Sequence, residues 1–212
     1  KITEKSFLTS ADFINTNLKD YGWKTIQIDG GWWTEPGLYS VNDVTFPHGI
    51  RYLSDYVNKL GLDFGLHVSP LRTNPKDPIT SKHPDWILKP INNKKIAKGD
   101  DEMATTVGTV YVDGSHPEVP AFSSARYQQI VEGYRPSFMK WDHTYGGLEE
   151  GVRFDSTMTF MQAHNKTIRA IRNALPDDLI VTRSMGYVFG ALECYDAIRI
   201  GNDINHPGYK SE

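Results

Sequence analysis

The sequence predicts an α/β protein, and the fold class that we expect is a (β/α)8 TIM barrel of which this chain supplies a part. Short apolar runs alternate with segments of helical periodicity along the 212 residues, an order typical of parallel strands joined by helical crossovers. The apolar runs end in polar residues, as they do where a barrel builds its active site. An open doubly wound sheet has the same element order, but no glycine-rich phosphate loop follows the first predicted strand, so its nucleotide-binding form has no support.

Five apolar runs predict strands, and polar residues capable of chemistry stand at the end of each. The runs and their terminal residues are WKTIQIDG with Asp29, DFGLHVSP with His67 and Ser69, SFMKWDH with Lys140 and Asp142, LIVTRS with Arg183 and Ser184, and DAIRIGNDI with Arg199 and Asp203. Because the carboxyl ends of parallel strands share one edge of a sheet, we expect these side chains to lie near one another.

Helical periodicity fills the intervals between the strands. The predicted helices cover residues 10–20, 49–60, 121–133 and 156–175. Ser10 is the expected N-cap of the first helix. The last helix has the clearest apolar stripe, formed by Phe160, His164, Ile168, Ile171 and Leu175. Their spacing of three or four residues puts them on one helical face, which we expect to pack against the sheet.

The domain organisation predicted is a single unit with one long insertion. Residues 71–107 are polar and poorly periodic, so we expect a loop insertion between strands, and loops of this length are usually functional or disordered. Five strands are too few to close a barrel of eight. We therefore expect residues 1–212 to be one catalytic-barrel segment of a longer protein.

Composition and charge narrow the possible partners. The formal net charge is −3 and no Lys/Arg run stands out, so we expect no nucleic-acid partner. The longest apolar stretches have the length of strands, so we expect no membrane span. The single cysteine excludes an internal disulfide and a multi-cysteine zinc site. Secreted, periplasmic and cytoplasmic locations all remain compatible with the sequence, and so does any oligomeric state.

Two aspartates at strand ends are the candidate catalytic residues. Asp142 and Asp203 follow different predicted strands, and two converging carboxyl groups can divide the roles of an ionised nucleophile and a protonated acid, as in glycoside hydrolysis. Lys140 stands two positions before Asp142, so strand alternation points both side chains to one face, where the ammonium would keep Asp142 charged. Arg199 stands four positions before Asp203. The competing interpretation is that these aspartates cap helices or pair with arginine.

Aromatic side chains near these positions would suit a sugar substrate. Trp32, Trp33 and Trp141 lie next to strand-end aspartates, and aromatic rings can cover the apolar face of a sugar, although tryptophan is also a common core residue. The histidines form neither H-x-H nor H-x-x-x-H, so we expect no metal. The predicted substrate-binding residues are Asp29, Lys140, Arg199, Trp32, Trp33, His67, Trp141 and Arg183.

Several of these motifs resemble one family of enzymes. YGWKTIQIDGGWW, FPHGIRYLSDYVNKLGLDFGLHVSP, MKWDHT and IRIGNDI, in this order, are similar to successive strands of the melibiase clan, the family 27 and family 36 glycoside hydrolases that include α-galactosidases. HPDWIL and VDGSHPEV resemble connecting segments of family 36. The resemblance runs from about residue 6 to residue 204 and implies strands two to six of a TIM barrel.

The resemblance implies a retaining, exo-acting α-glycosidase that needs no cofactor and acts on an oligosaccharide or glycoconjugate. Asp142 would be the nucleophile and Asp203 the general acid/base, while Lys140, Arg199 and Asp29 would bind sugar hydroxyls. The sequence departs from the family at Gly30, where a second aspartate is usual and helps to recognise the axial hydroxyl of galactose. Galactose is the first expectation for the sugar, with N-acetylgalactosamine and glucose as alternatives.

Three other functions remain compatible with the same residues. A carbohydrate-binding barrel without turnover would use the tryptophans and aspartates but would not need both carboxylates. A metal-dependent hydrolase would use Asp29, His67, Asp142 and Asp203. A transglycosylase would form the same covalent intermediate and pass the sugar to another sugar instead of to water.

Overall fold

A parallel sheet with helical crossovers forms the core of the protein. The computed structural model describes residues 2–35, 37–89, 110–144, 151–184 and 189–201. Its strands are β1 (Thr25–Ile28), β2 (Asp63–Val68), β3 (Arg72–Thr73), β4 (Val110–Tyr111), β5 (Phe138–Trp141), β6 (Ile180–Arg183) and β7 (Ala197–Ile198). Five of them form one sheet in the order β1-β2-β5-β6-β7, with every pair parallel.

The strand order supports a barrel over an open doubly wound sheet. The five parallel strands lie side by side in their chain order, whereas a doubly wound sheet reverses its order at a switch point. β3 and β4 stand apart as a separate antiparallel pair. The described part of the chain is therefore a partial TIM barrel, and the predicted fold class is confirmed.

Among the residues that the structure describes, one α-helix precedes the first strand and four more lie between the strands. They are α1 (Glu4–Asn17), α2 (Gly49–Lys59), α3 (Pro78–Lys82), α4 (Val119–Tyr134) and α5 (Phe160–Asn173). The predicted start of the first helix is wrong, because Thr3 is the N-cap and exchanges hydrogen bonds with Ser6 in a capping box. Ser10 lies inside the helix, where its hydroxyl donates to the carbonyl of Ser6. Within the described residues, no helix has the length and apolar character needed to cross a membrane.

The two faces of the parallel sheet differ in burial. The face turned toward the helices is apolar and closed: Ile28, Leu66, Met139 and Val181 are completely buried. The opposite face, which carries Lys140, is partly open, and Ile180 on this face is 50% exposed. Successive side chains of a strand point to opposite faces of the sheet. The buried apolar side chains therefore pack the sheet against the helices, and Lys140 lies on the opposite face.

The stripe predicted for α5 is confirmed except at its first residue. His164, Ile168, Ile171 and Leu175 are buried. Phe160 is 46% exposed, because it occupies the first turn after the N-cap Thr159. The apolar face thus begins only at the second turn of the helix.

Part of the predicted loop insertion 71–107 has regular structure. Residues 71–89 include β3, the short helix α3 capped by the side chain of Asp77, and a 3₁₀ turn at 84–86. Residues 90–109 lie outside the described part of the chain. The last predicted strand, 196–204, is regular only over Ala197–Ile198, and its end beyond residue 201 also lies outside the described residues.

Candidate active site

Four polar side chains meet at the carboxyl ends of three neighbouring strands. His67 pairs with Lys140 in the register between β2 and β5, and Asp29 follows β1 where Ile28 pairs with Leu66. The register thus places Asp29, His67 and Lys140 side by side on the open face of the sheet. Asp142, two residues after Lys140, extends the group along the same face.

Lys140 links two carboxylates. Its Nζ lies 2.9 Å from Asp29 Oδ2 and 3.1 Å from Asp142 Oδ2. Burial alone would lower the pKa of Lys140, but the charges of Asp142 and Asp29 outweigh that effect and raise it. Lys140 is therefore a permanent cation between the two acids at neutral pH.

Asp142 is a buried carboxylate held in its ionised form. Only 6% of its side chain is exposed, and its Oδ1 accepts a hydrogen bond of 2.8 Å from the backbone N–H of His143. Burial would raise the pKa of Asp142, but the nearby charges of His143, His67 and Lys140 lower it overall. An ionised, desolvated carboxylate is what a nucleophile at an anomeric carbon requires.

Asp29 is the more open of the two carboxylates, with half of its side chain exposed. Its Oδ1 accepts a hydrogen bond of 2.6 Å from the N–H of Gly30, and its Oδ2 accepts one of 3.3 Å from Gln27 Nε2. Burial would raise its pKa, but His67, Lys140 and the N–H of Gly30 together lower it. Asp29 therefore presents a charged acceptor to the open face.

The rings of Trp33 and His143 both lie next to the ring of His67. The rings of Trp33 and His67 lie 5.3 Å apart between centroids, and Trp33 remains 7% exposed. The ring of His143 lies 6.5 Å from that of His67. His143 has a φ of 52°, a left-handed conformation that is strained for a residue with a side chain. This turn places the backbone N–H of His143 against the carboxylate of Asp142. In the sequence, the only indication of a role for His143 was its position directly after Asp142.

Three predicted substrate-binding residues are buried. Trp32 and Trp141 are completely buried and Arg183 is 1% exposed. Trp141 packs edge-on against Tyr127, and it pairs in register with Arg183. The register puts Trp141 and Arg183 on the helix-facing side of the sheet, and because all three side chains are buried, the described structure offers a sugar no route to them.

Arg183 instead supports the loop that follows β5. Its Nε donates to Thr144 Oγ1 at 3.2 Å, and its Nη1 donates to the backbone carbonyls of Phe189 and Gly190. Burial lowers its pKa. His164, assigned by its spacing to the apolar stripe of α5, lies 3.1 Å from the carbonyl of Thr144 through Nε2. Both residues thereby hold the segment two positions beyond Asp142.

The second predicted catalytic residue, Asp203, lies outside the described residues. Arg199, one residue past β7, is half-buried, and its N–H donates to the carbonyl of Arg183 at 2.9 Å. Alternation along β7 puts Arg199 on the same side of the sheet as Lys140. In the described ranges, no group of three or more His, Cys, Asp or Glu side chains is arranged to hold a metal ion.

Curated relatives that match this chain are α-galactosidases. α-Galactosidase AgaA of Geobacillus stearothermophilus is 28% identical over 130 residues, which are 58% of this chain and 17% of that protein. A probable α-galactosidase G of Emericella nidulans is 25% identical over 145 residues, 60% of this chain and 19% of that protein. The chain thus spans less than a fifth of the length of these two relatives.

Solved structures share the fold, and a family model matches most of the chain. The α-galactosidase TtGalA of Thermus thermophilus, in complex with p-nitrophenyl α-D-galactopyranoside, superposes with a TM-score of 0.78 at 22% identity, over 96% of this chain and 39% of that one. AgaA of Geobacillus stearothermophilus, a GH36 α-galactosidase, gives a TM-score of 0.64 at 21% identity, over 86% of this chain and 26% of that one. The Melibiase family model matches residues 9–177. This chain belongs to the Melibiase family.

Proposed function

We propose that the protein is a retaining, exo-acting α-glycosidase that hydrolyses terminal α-linked sugars, with α-galactosides as its first substrate class. The matched relatives are named α-galactosidases, and one solved neighbour was crystallised with an α-galactoside. The observation that carries the proposal is the buried, ionised Asp142 beside Lys140 at the carboxyl end of β5. Burying a charge is costly unless it is paired, as Asp142 is with Lys140, and ionisable groups whose pKa is perturbed in this way cluster at functional sites.

The proposed mechanism has two displacement steps. Asp142 attacks the anomeric carbon while protonated Asp203 gives its proton to the leaving oxygen, and a covalent glycosyl-enzyme forms. Asp203 then takes a proton from water, the water attacks the anomeric carbon, and Asp142 is released with the α configuration retained. Neither step calls for an organic cofactor or a metal ion.

Sugar binding would use the polar groups that surround Asp142. Lys140 has three N–H donors, and two carboxylates account for two of them, which leaves one for a sugar hydroxyl. Asp29 would accept from hydroxyls through its exposed side, and Arg199 would donate from the β7 side. Trp33, beside His67, would cover an apolar sugar face.

The test is turnover of p-nitrophenyl α-galactoside by the complete protein. Asp142→Asn and Asp203→Asn should each lower kcat by about 10³-fold or more, since each removes a group that acts in the chemical step. Asp63→Asn is the matched control, because Asp63 is an exposed carboxylate at the opposite end of β2. Near-normal turnover in either active-site variant would refute the mechanism.

Two further measurements examine the roles separately. Azide should restore turnover to Asp142→Gly and yield a β-glycosyl azide, because the small anion enters the space of the missing nucleophile. Proton NMR of the first-formed product should show the α anomer. A β product would indicate inversion and would remove Asp142 from the nucleophile role.

A substrate screen would identify the sugar. The sequence leaves the sugar open, because Gly30 replaces the acid usual in the family. Aryl α-glycosides of galactose, N-acetylgalactosamine and glucose should be compared by kcat/KM on the complete protein. The galactoside is expected to be preferred. Transfer to an added sugar acceptor, measured in the same assay, would distinguish a transglycosylase from a hydrolase.

A further inference from the structure

The chain makes a sharp turn directly after Asp142. The backbone N–H of Asp142 donates to the carbonyl of Val68 at 2.8 Å, which ties Asp142 to the end of β2. His143 then has a φ of 52°, in the left-handed region that is unfavourable for a residue with a side chain. Within this turn the N–H of His143 donates to Asp142 Oδ1, while Asp142 Oδ2 faces Lys140 at 3.1 Å. The orientation of the carboxylate therefore depends on the turn.

His164 holds the residue that follows this turn. It lies in α5 and is 1% exposed, and its Nε2 is 3.1 Å from the backbone carbonyl of Thr144. Thr144 is completely buried, so water does not compete for that carbonyl. The turn is thus fixed on both sides, by β2 at its start and by α5 at its end.

The carbonyl of Thr144 decides which nitrogen of His164 carries the proton. A carbonyl only accepts hydrogen bonds, so Nε2 must be the donor. Nδ1 lies 3.0 Å from the side-chain amide of Asn165, which can be oriented to accept or to donate. Burial lowers the pKa of His164, and the charges of Arg183 and Arg153 act in the same direction. The ring is therefore neutral at neutral pH, with its single proton on Nε2.

The part of α5 that carries His164 packs closely against the loop after β4. A Cβ built at Gly114 would lie 2.3 Å from the carbonyl oxygen of Ala163 and 2.6 Å from Thr167 Oγ1. Any side chain at this position would displace the helix. The glycine of the motif VDGSHPEV thus lets the loop lie directly against α5 and hold His164 at a fixed distance from the sheet.

We propose that His164 is a positioning residue for the nucleophile: its Nε2–H donates to the carbonyl of Thr144 and thereby maintains the left-handed turn at His143. This inference rests on the proposed function and deepens it, because it names a residue remote from the sugar that keeps Asp142 aligned. Arg183 holds the hydroxyl of Thr144 at 3.2 Å, whereas His164 holds the backbone itself. Without that bond the turn would relax, and the N–H of His143 would leave the carboxylate.

Three substitutions at position 164 separate the donor from the volume of the ring. His164→Gln keeps an N–H donor three bonds from Cβ, as Nε2 is, and should keep kcat within a few fold of the wild type. His164→Met has no donor, and the amide of His164→Asn is one bond too short. Each of these two should lower kcat for p-nitrophenyl α-galactoside by about 10- to 100-fold and change KM by less than about twofold, because alignment affects the chemical step. Equal kcat values in the glutamine and methionine variants would overturn the proposal.

The pH profile distinguishes positioning from support of the fold. The titratable groups that face Asp142 are Lys140 on its own strand, His67 on β2, Asp29 after β1, and His143. None of them is altered in the variants. Loss of the His143 N–H raises the pKa of Asp142, so the acidic limb of kcat should move to higher pH in His164→Met and stay in place in His164→Gln. A limb that stays in place in the methionine variant would overturn the proposal.

Thr167→Val is the matched control on the same helix. Thr167 is completely buried one turn beyond His164, and its hydroxyl has no hydrogen-bond partner among the described residues. The substitution should leave kcat and the acidic limb unchanged. Circular dichroism and thermal unfolding establish that each variant is folded. A loss of kcat as large as that of His164→Met would show that packing of α5 alone matters, and would overturn the proposal.

Two NMR measurements need no turnover. Amide hydrogen exchange at His143 should be faster in His164→Met than in the wild type, because its N–H is released from Asp142; unchanged exchange would overturn the proposal. If neither the methionine nor the asparagine variant folds, the ¹⁵N shifts of the wild-type ring decide, since a proton on Nδ1 alone would leave Nε2 unable to donate. Absence of turnover in the wild type refutes the proposed function, and hydrogen exchange still decides this inference. Wild-type turnover that is equal in all three variants at position 164 refutes the inference alone.

Discussion

Lys140 Nζ lies 2.9 Å from Asp29 Oδ2, and this contact joins residues that are 111 positions apart in the chain. The same ammonium is 3.1 Å from Asp142 Oδ2, so one cation balances two acids on neighbouring strands. Without it, two carboxylates and a histidine would share a partly buried face with no permanent positive charge among them. Lys140 thus acts together with His143 and His67 to keep the group that we assign as the nucleophile ionised.

Replacing Lys140 should therefore change how activity depends on pH. In Lys140→Met the pKa of Asp142 rises, because a positive charge that favoured its ionised form is lost. The acidic limb of the kcat/KM profile should move to higher pH, and the value at its optimum should fall by about 100-fold. Lys140→Arg is the control, since it keeps the charge. An acidic limb that stays in place in Lys140→Met would show that Lys140 does not set the ionisation of Asp142.

Acid should destabilise the protein through the same group. The pKa of Asp142 and that of Asp29 are both below their ordinary value of about 3.9, so each ionised carboxylate stabilises the fold above that pH. This stabilisation is lost as the pH falls through the lowered values. The free energy of unfolding in urea should therefore decrease between pH 5 and pH 2 in the wild type. Asp142→Asn should show a shallower decrease, and an unchanged slope would contradict the assignment.

Two arginines at neighbouring strand ends should respond in opposite ways to the same substitution. Arg183→Lys should lower the free energy of unfolding by about 2–4 kcal/mol, because a buried network with Thr144 and two carbonyls loses its geometry. Its KM for the sugar should hardly change. Arg199→Lys should leave stability nearly unchanged and lower kcat/KM. Urea unfolding and steady-state kinetics on both variants measure the contrast, and an increased KM in Arg183→Lys would return that residue to the substrate-binding set.

The adjacent tryptophans give a second matched pair. Trp32→Phe should cost about 1–3 kcal/mol of stability, because a buried indole loses volume and its hydrogen bond to the carbonyl of His67. Trp33→Phe should be milder for stability, since Trp33 makes no equivalent bond to β2, and should instead raise KM for the glycoside. Thermal unfolding and KM determine which effect each variant has. Equal effects of both on KM would mean that Trp32 also reaches the sugar.

The order and type of the main elements could be predicted from local patterns. Apolar runs and helical spacing located all five parallel strands and the helices α2, α4 and α5. The clear errors were local ones. Thr3 and Ser6 form a capping box that displaces Ser10 as the first cap, and the start of the polar stretch after β2 forms β3, which pairs with β4 beyond that stretch. Such pairings depend on partners distant in sequence, which periodicity does not report.

Strand alternation also predicted part of the site. The two-residue spacing of Lys140 and Asp142 implied a shared face, and their ammonium and carboxylate do lie 3.1 Å apart. The same rule puts Trp141, which lies between these two residues, on the opposite face of the strand, where it is completely buried. Proximity to an aspartate in sequence was therefore a poor guide for the tryptophan, and alternation was the better one.

The sequence by itself determined the repeated strand–helix order, the polar strand ends and the family motifs, because these depend on spacing along the chain. Only the tertiary structure decided which strand ends lie side by side. The register of β1, β2 and β5 brings Asp29, His67, Lys140 and Asp142 into one group. The pairing of β5 with β6 puts Arg183 on the buried face beside Trp141. Distances between strands come from packing of the whole sheet, and local residue patterns carry no measure of them.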